Sequence, residues 1–249
     1  MSRRARALLA VVSLAGLAAL LAWAATGLND VGDPPGPNAT RVPLLLAHER
    51  QVANAVNGVT YDLRATDTLG EELILFVAAL GVAILLRTGP DREQEAQESD
   101  RERGRETSSA LRVVGAVLVA PVLVLGLYVV THGTLTPGGG FQGGVLLAAA
   151  LLLVYAAGQV VALERLRPVD LVETAEATGA LAFALVALGG IVFSGALLAN
   201  FIGLAPMGAL TSGGTIPVLS VATGVEVTGA VTLILTEFLD EALMRGGQR

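Results

Sequence analysis

The sequence predicts an all-α, polytopic membrane protein of about six transmembrane helices with an amphipathic helix on its outer side. Three observations carry that prediction. The 249 residues are 53% hydrophobic and only 15% charged, with a mean hydropathy of +0.66, a balance that soluble domains of this size rarely show. Six apolar runs approach the roughly 20 residues needed to cross a hydrocarbon core of about 30 Å. Alternating ten-residue strands of the kind that build membrane barrels are absent.

The first run, Ala7 to Thr26, follows Arg3, Arg4 and Arg6. Its ending, Ala22-Trp23-Ala24, also fits a cleavable signal peptide. An apolar stretch of about 18 residues exceeds the usual 7 to 15 of a signal core and favours an uncleaved anchor. The outer segment Gly27 to Gly70 begins with the loop NDVGDPPGPNAT. Helix-like apolar spacing over Val42 to Leu63 then predicts the amphipathic helix. The second span, Glu72 to Leu86, is short unless Leu69 to Glu71 begins it. A polar run with nearly balanced charge, TGPDREQEAQESDRERGRETSS, separates it from Leu111 to Val130 and reads as a cytoplasmic linker. Phe141 to Leu163, Thr174 to Leu198 and Ile216 to Leu239 complete the set.

The chain thus divides into residues 1–87 with two spans, a charged linker at 88–110 and residues 111–249 with four spans. With the N-terminus in the cytoplasm, the inner segments hold 13 of the 16 arginines and the outer loop keeps only Arg41, Arg50 and Arg64. Positive charge collects on the inside, so both termini are expected there, in the cell membrane of a prokaryote.

Several chemistries are excluded at this stage. The absence of cysteine removes disulfides, thiolate metal sites and cysteine-ligated iron–sulfur clusters. There is no GxxxxGK[ST] loop and no lysine, which argues against nucleotide and nucleic-acid binding. Two histidines, His48 and His132, without metal-ligand spacing leave no expected metal. No cofactor and no enzymatic activity are expected.

What remains are buried acids and glycines. Glu226 lies ten residues into the last run, about 15 Å below its start and near mid-bilayer. An ionised carboxylate there costs several kcal/mol or more, so the side chain must face protein or water. Proton handling suits it, and so does a protonated packing role. At the mouth of the second span, Asp62, Arg64, Asp67, Glu71 and Glu72 cluster in YDLRATDTLGEE. The ordinary reading of them is an interfacial charge belt with Arg64 paired to Asp62 or Asp67, and the functional reading is a carboxylate at an ion entrance. Glu71 and Glu72 are about 100° apart on a helix, so one of them at most faces the interior. His132 ends the third span, placed to relay a proton or to hold a carbonyl. Beyond it, Pro137, Gly138, Gly139, Gly140, Phe141, Gly143 and Gly144 form a turn in which backbones approach closely or the chain re-enters the membrane.

The stretch HGTLTPGGGFQGG resembles the glycine-rich turn of the B-type subunit of Mrp-type multisubunit cation/proton antiporters. TGVEV resembles the glycine–glutamate element of the last helix in that same B-type component. VNGVTYDLRATDTLGEELILFVAALGV is similar to the carboxyl-terminal end of the large A-type subunit, with Glu71 on that family's glutamate, so the resemblance implies Glu71 and not Glu72 as the interior acid. The resemblance implies a fusion of an A-type tail with a B-type module, an accessory subunit that helps exchange sodium ions for protons. It also implies Glu226, Glu71, Asp67 and His132 as ion-translocation candidates. The implied partners are large A- and D-like subunits and small C-, E-, F- and G-like subunits within the lipid bilayer. The same unit recurs in membrane-bound hydrogenases, so a subunit of an energy-converting respiratory complex is the alternative.

Overall fold

The computed structural model describes residues 11–12, 14–16, 18–23, 26, 37–86, 108–157 and 169–247. The expected charged linker and most of the connection after the fourth span lie outside them. Every described element is helical, and the chain is a multi-pass membrane protein. Residues 1–41 form one compact unit and 42–249 another. In the first, α1 (Leu14–Trp23) is apolar, and the rest of the expected first span lies outside the described residues.

The expected continuous amphipathic helix is interrupted. α2 (Pro37–Glu49) stops where Gln51 takes a left-handed backbone, φ 58°. Val52 N–H and Arg50 N–H both donate back to the Leu46 carbonyl, at 3.0 and 3.2 Å, which turns Val52 into the core. Asn54 then caps the short α3 (Ala55–Gly58), its side chain accepting from Val56 N–H and Asn57 N–H. A five-residue π-type turn, Val59–Leu63, follows and buries Tyr61. Polar patterning could not reveal the break, because it is made by contacts with residues about 80 positions away. The Asn54 amide donates to the carbonyls of Gly133, Thr136 and Gly138, and Thr134 O accepts from Ala53 and Asn54.

Among the described residues, four helices are long and apolar enough to cross a membrane. α4 (Ala65–Leu86) starts seven residues before Glu72 and so gains a full span. α5 (Ser109–Thr131) is capped by Ser108, whose hydroxyl accepts from Leu111 N–H at 3.2 Å. α7 (Val169–Ser194) begins and ends earlier than its apolar run suggests, and α8 (Ile216–Gly247) continues past it. The apolar α6 (Gly140–Ala156) is shorter as described.

α8 is the central helix: 61% of its span is buried, against 17–22% for the other three. It packs against α4, α5, α6 and α7. Glycines let those backbones meet. A Cβ on Gly140, at the start of α6, would run into the Ser220 carbonyl of α8, and one on Gly143 would strike Val130 of α5. Among the readings of the glycine-rich turn, close backbone packing fits these contacts. The broad apolar faces left on α4 and α5, from Ile74 to Val124, suit lipid or neighbouring subunits.

Candidate functional site

Apolar packing alone does not fill the interior around α8. Thr223, Glu226, Thr232, Thr236 and Glu237 are buried along it. Glu226 is 0% exposed, Glu72 of α4 is 2% and Glu176 of α7 is 4%. Glu72 and Glu226 adjoin one another, with Thr223 next to Glu72, and Glu176 lies within electrostatic reach of Glu226. No hydrogen bond of good geometry reaches either carboxyl oxygen of Glu72 or Glu226, Glu176 Oε1 or Thr223 Oγ1. Bare oxygens that deep cost several kcal/mol if charged. They therefore call for protons, water or a cation. No cluster of three or more metal-binding side chains exists among the described residues.

The helix spacing here is set by a reciprocal arrangement. A Cβ on Gly179 of α7 would press on the Glu226 backbone, and one on Gly229 of α8 would lie 2.6 Å from Glu176 N. Each helix thus places a glycine opposite the glutamate of the other.

Above the acids, Val52, Tyr61, Phe183, Leu198, Ile216 and Leu219 form an apolar cluster. Tyr61 and Phe183 have ring centroids 6.4 Å apart, and the Tyr61 hydroxyl points toward Thr223 and the Gly140 backbone. Burial, with the Glu72 charge adding to it, pushes the Tyr61 phenol up, so it stays a neutral hydrogen-bonding group. A second cluster, Ala79, Ala83, Val172, Ala230 and Leu233, lies farther along α4 and α8.

The positions of the expected site residues differ in kind. Glu226 is central. Of the adjacent pair, the sequence preference for Glu71 as the interior acid is corrected: Glu71 is exposed and Glu72 is inside. The inward face of α4 is set by Ala65, Thr68, Ala79 and Ala83, whose three-, four- and seven-residue spacing includes Glu72 and leaves Glu71 a rotation of about 100° away. Asp67 is exposed and paired with Arg64, while Arg50 pairs with Asp62 at 2.7 Å. The Arg64–Asp67 pair is the expected surface pair of the charge belt, whereas the Asp62 side chain is only 6% exposed where Arg50 holds it. His132 stacks on Tyr128 with centroids 4.1 Å apart, and its Nδ1 lies 3.2 Å from the Tyr128 carbonyl. No described hydrogen bond or ion pair joins Asp67 or His132 to the buried acids. Glu176 was not singled out by sequence. The signal was its place three residues before Gly179 in TAEATGALA, an acid on the helix's small-residue face.

A family model described as a domain related to the MnhB subunit of Na+/H+ antiporters matches residues 110–233. The protein MJ1307 of Methanocaldococcus jannaschii is 32% identical over 202 residues, covering 73% of this chain and 75% of that protein. The chain belongs to the MnhB-related family. A protein of Rhizobium meliloti described as a probable K+/H+ antiporter A/B component is 31% identical over 122 residues, 42% of this MnhB-related chain and 12% of that longer protein. Among solved structures, a chain of the archaeal membrane-bound sulfane sulfur reductase, a respiratory membrane complex, superposes with a TM-score of 0.67 at 27% identity. The match covers 94% of this chain and 98% of that one. A chain of the Mrp complex from Dietzia sp. DQ12-45-1b superposes with a TM-score of 0.64 at 25% identity, over 95% of this chain and 26% of that one.

Proposed function

We infer that this chain is an accessory membrane component of a multisubunit monovalent cation/proton antiporter, with Glu226 as its principal ion-relay residue. The observation that carries the reading is a fully buried carboxyl, reached by no hydrogen bond of good geometry, at the centre of a membrane bundle of the MnhB-related family. Such a group has no packing advantage over a glutamine or leucine, and its proton chemistry accounts for its presence. The chain acts as a transporter component and not as an enzyme. Its partners are the other antiporter subunits, in keeping with the multisubunit complexes in which its structural relatives occur.

Residues 1–87 supply the A-tail-like part and 111–249 the B-like part, and the Asn54 contacts with the glycine-rich turn join α3 to the start of α6. Exposed within the outer part of α4, Glu71 is placed to meet a partner protein or the headgroup layer, where the entrance role proposed for it can operate. Asp67 and His132 are lesser entrance candidates on the same outer side.

Arginine bias supports a cell-membrane topology with both termini cytoplasmic. Single cysteines at Ser108 and Met207, both exposed, are expected to label from opposite sides of sealed cells, the second from outside. Labelling from the same side would refute that topology.

The respiratory complex is the second reading, favoured by one observation: the sulfane sulfur reductase chain is matched over 98% of its length, so it shares this chain's whole layout. Purification of the tagged chain with its natural partners separates the two. Antiporter components alone, with proton movement driven by sodium or by potassium in reconstituted vesicles, are expected. Copurifying redox subunits, with no cation-driven exchange, would replace the antiporter reading by the respiratory one.

A further inference from the structure

We propose that Glu72 and Glu226 form a single proton-binding site, holding one proton between two carboxyl groups, with Glu176 as the group through which that proton exchanges toward the C-terminal end of α8. The antiporter reading gives this site its use in transport, but the site itself is defined by the geometry of three helices.

Glu72 and Glu226 are 2% and 0% exposed and adjoin one another, and no hydrogen bond of good geometry reaches any of their four carboxyl oxygens. Two carboxylates in such surroundings cannot both be ionised, because each charge loses its hydration and repels the other. Two neutral acids would lack the acceptor strength that a carboxylate offers a neighbouring acid. A proton shared between one acid and one carboxylate meets both constraints, since a charge-assisted O–H···O bond is short and strong.

The ionisable groups acting on Glu226 are Glu72 from α4 and Glu176 from α7; those acting on Glu72 include Glu71 from α4, and Tyr61 of the π-type turn is coupled to the pair. Glu173 of α7 acts on Glu176. α6 presents glycines, not ionisable groups, at its contact with this level of α8, at Gly140 and Gly144. No described ion pair brings an arginine to these acids.

The direction of exchange follows from what surrounds the pair. Toward the start of α8 the pair meets the apolar cluster of Tyr61, Phe183, Leu198, Ile216 and Leu219 and the buried hydroxyls of Thr215, Ser220 and Thr223, but no further buried carboxyl among the described residues. Toward the other end lie Glu176, opposite Gly229, and then buried Thr232, Thr236 and Glu237. Glu176 Oε1 and Thr232 Oγ1 have no hydrogen-bond partner, so both are open to accept a proton arriving on that side. A proton leaving Glu226 is taken up by Glu176, and the pair is refilled by the reverse transfer; no bond other than O–H is made or broken.

Infrared difference spectroscopy of the purified complex in lipid, titrated with pH in H2O and D2O, reads the site directly. The expected result is a deuterium-sensitive protonated-carboxyl band at neutral pH that Glu72→Gln and Glu226→Gln each shift or abolish. Glu176→Gln should leave the band and slow its deuterium exchange. Sodium or potassium added at fixed pH, against choline, should not change it. Two bands removed independently, one by each variant, would overturn the shared proton. Loss of the band on adding sodium or potassium would make this a metal-cation site and overturn the proposal, as would the absence of the band in the wild-type titration, which needs no variant. Any of these failures leaves the antiporter reading standing, because partner identity and cation-driven exchange are measured separately.

Discussion

Gly140→Leu is expected to prevent the chain from entering its complex, reducing recovery of the assembled form to about a tenth or less, since overpacking costs roughly 1–3 kcal/mol even for small insertions. The Cβ position at Gly140 faces the Ser220 carbonyl, Thr223 Cβ and Gly224 N of α8. Backbone atoms of a central helix have nowhere to move, so α6 would have to separate from α8. That separation would also displace the Gly140 backbone from Tyr61 and Thr223. Gly195→Ala gives the contrast. Its Cβ would meet nothing within 4 Å, although its φ of 78° strains any side chain there, and assembly should largely survive. The yield of intact complex by size-exclusion chromatography checks both. Full assembly of Gly140→Leu would show that the α6–α8 contact is not required.

Neutralising either buried acid should have the opposite profile. Glu226→Gln and Glu72→Gln preserve side-chain shape and nearly all packing, and each replaces an acid by an amide that cannot release a proton. The complex is therefore expected to assemble with normal yield. Cation-driven proton movement should fall by about tenfold or more, the scale on which loss of a positioned acid–base group is felt. Because the two acids act on one proton, the double variant should be no worse than the more damaging single one. A purely structural role predicts another pattern: unchanged exchange and a change in thermal stability alone.

Much of this architecture is legible in the sequence, and the reasons are physical. Long apolar runs must be helices in lipid, because no water is available to the backbone, so α4, α5, α7 and α8 could be read from composition alone. Glu226 stood out because a charge inside an apolar run is costly wherever that run folds. Glu72 did not, because adjacent acids at a helix mouth differ only in rotation. That rotation is fixed by Ala65, Thr68, Ala79 and Ala83 facing α8 and α7. Small residues at such spacing were visible, but the helix they would face was not. The break at Gln51 to Asn54 was hidden for a related reason. Its stabilising carbonyls, those of Gly133, Thr136 and Gly138, come from the glycine-rich turn. The residues of that turn were legible as a packing element; the asparagine that it receives was not.

The account's central claim is that the buried carboxyl pair on α4 and α8 handles the exchanged proton. The most direct measurement is proton movement in sealed vesicles containing the reconstituted complex, driven by a sodium or potassium pulse and followed across the pH range. Wild type, Glu226→Gln and Glu72→Gln should be compared after equal assembly has been verified. The account predicts brisk exchange in the wild type and severe loss in both variants at every pH. Wild-type rates in the assembled Glu72→Gln and Glu226→Gln complexes would contradict it and reduce the two acids to packing residues.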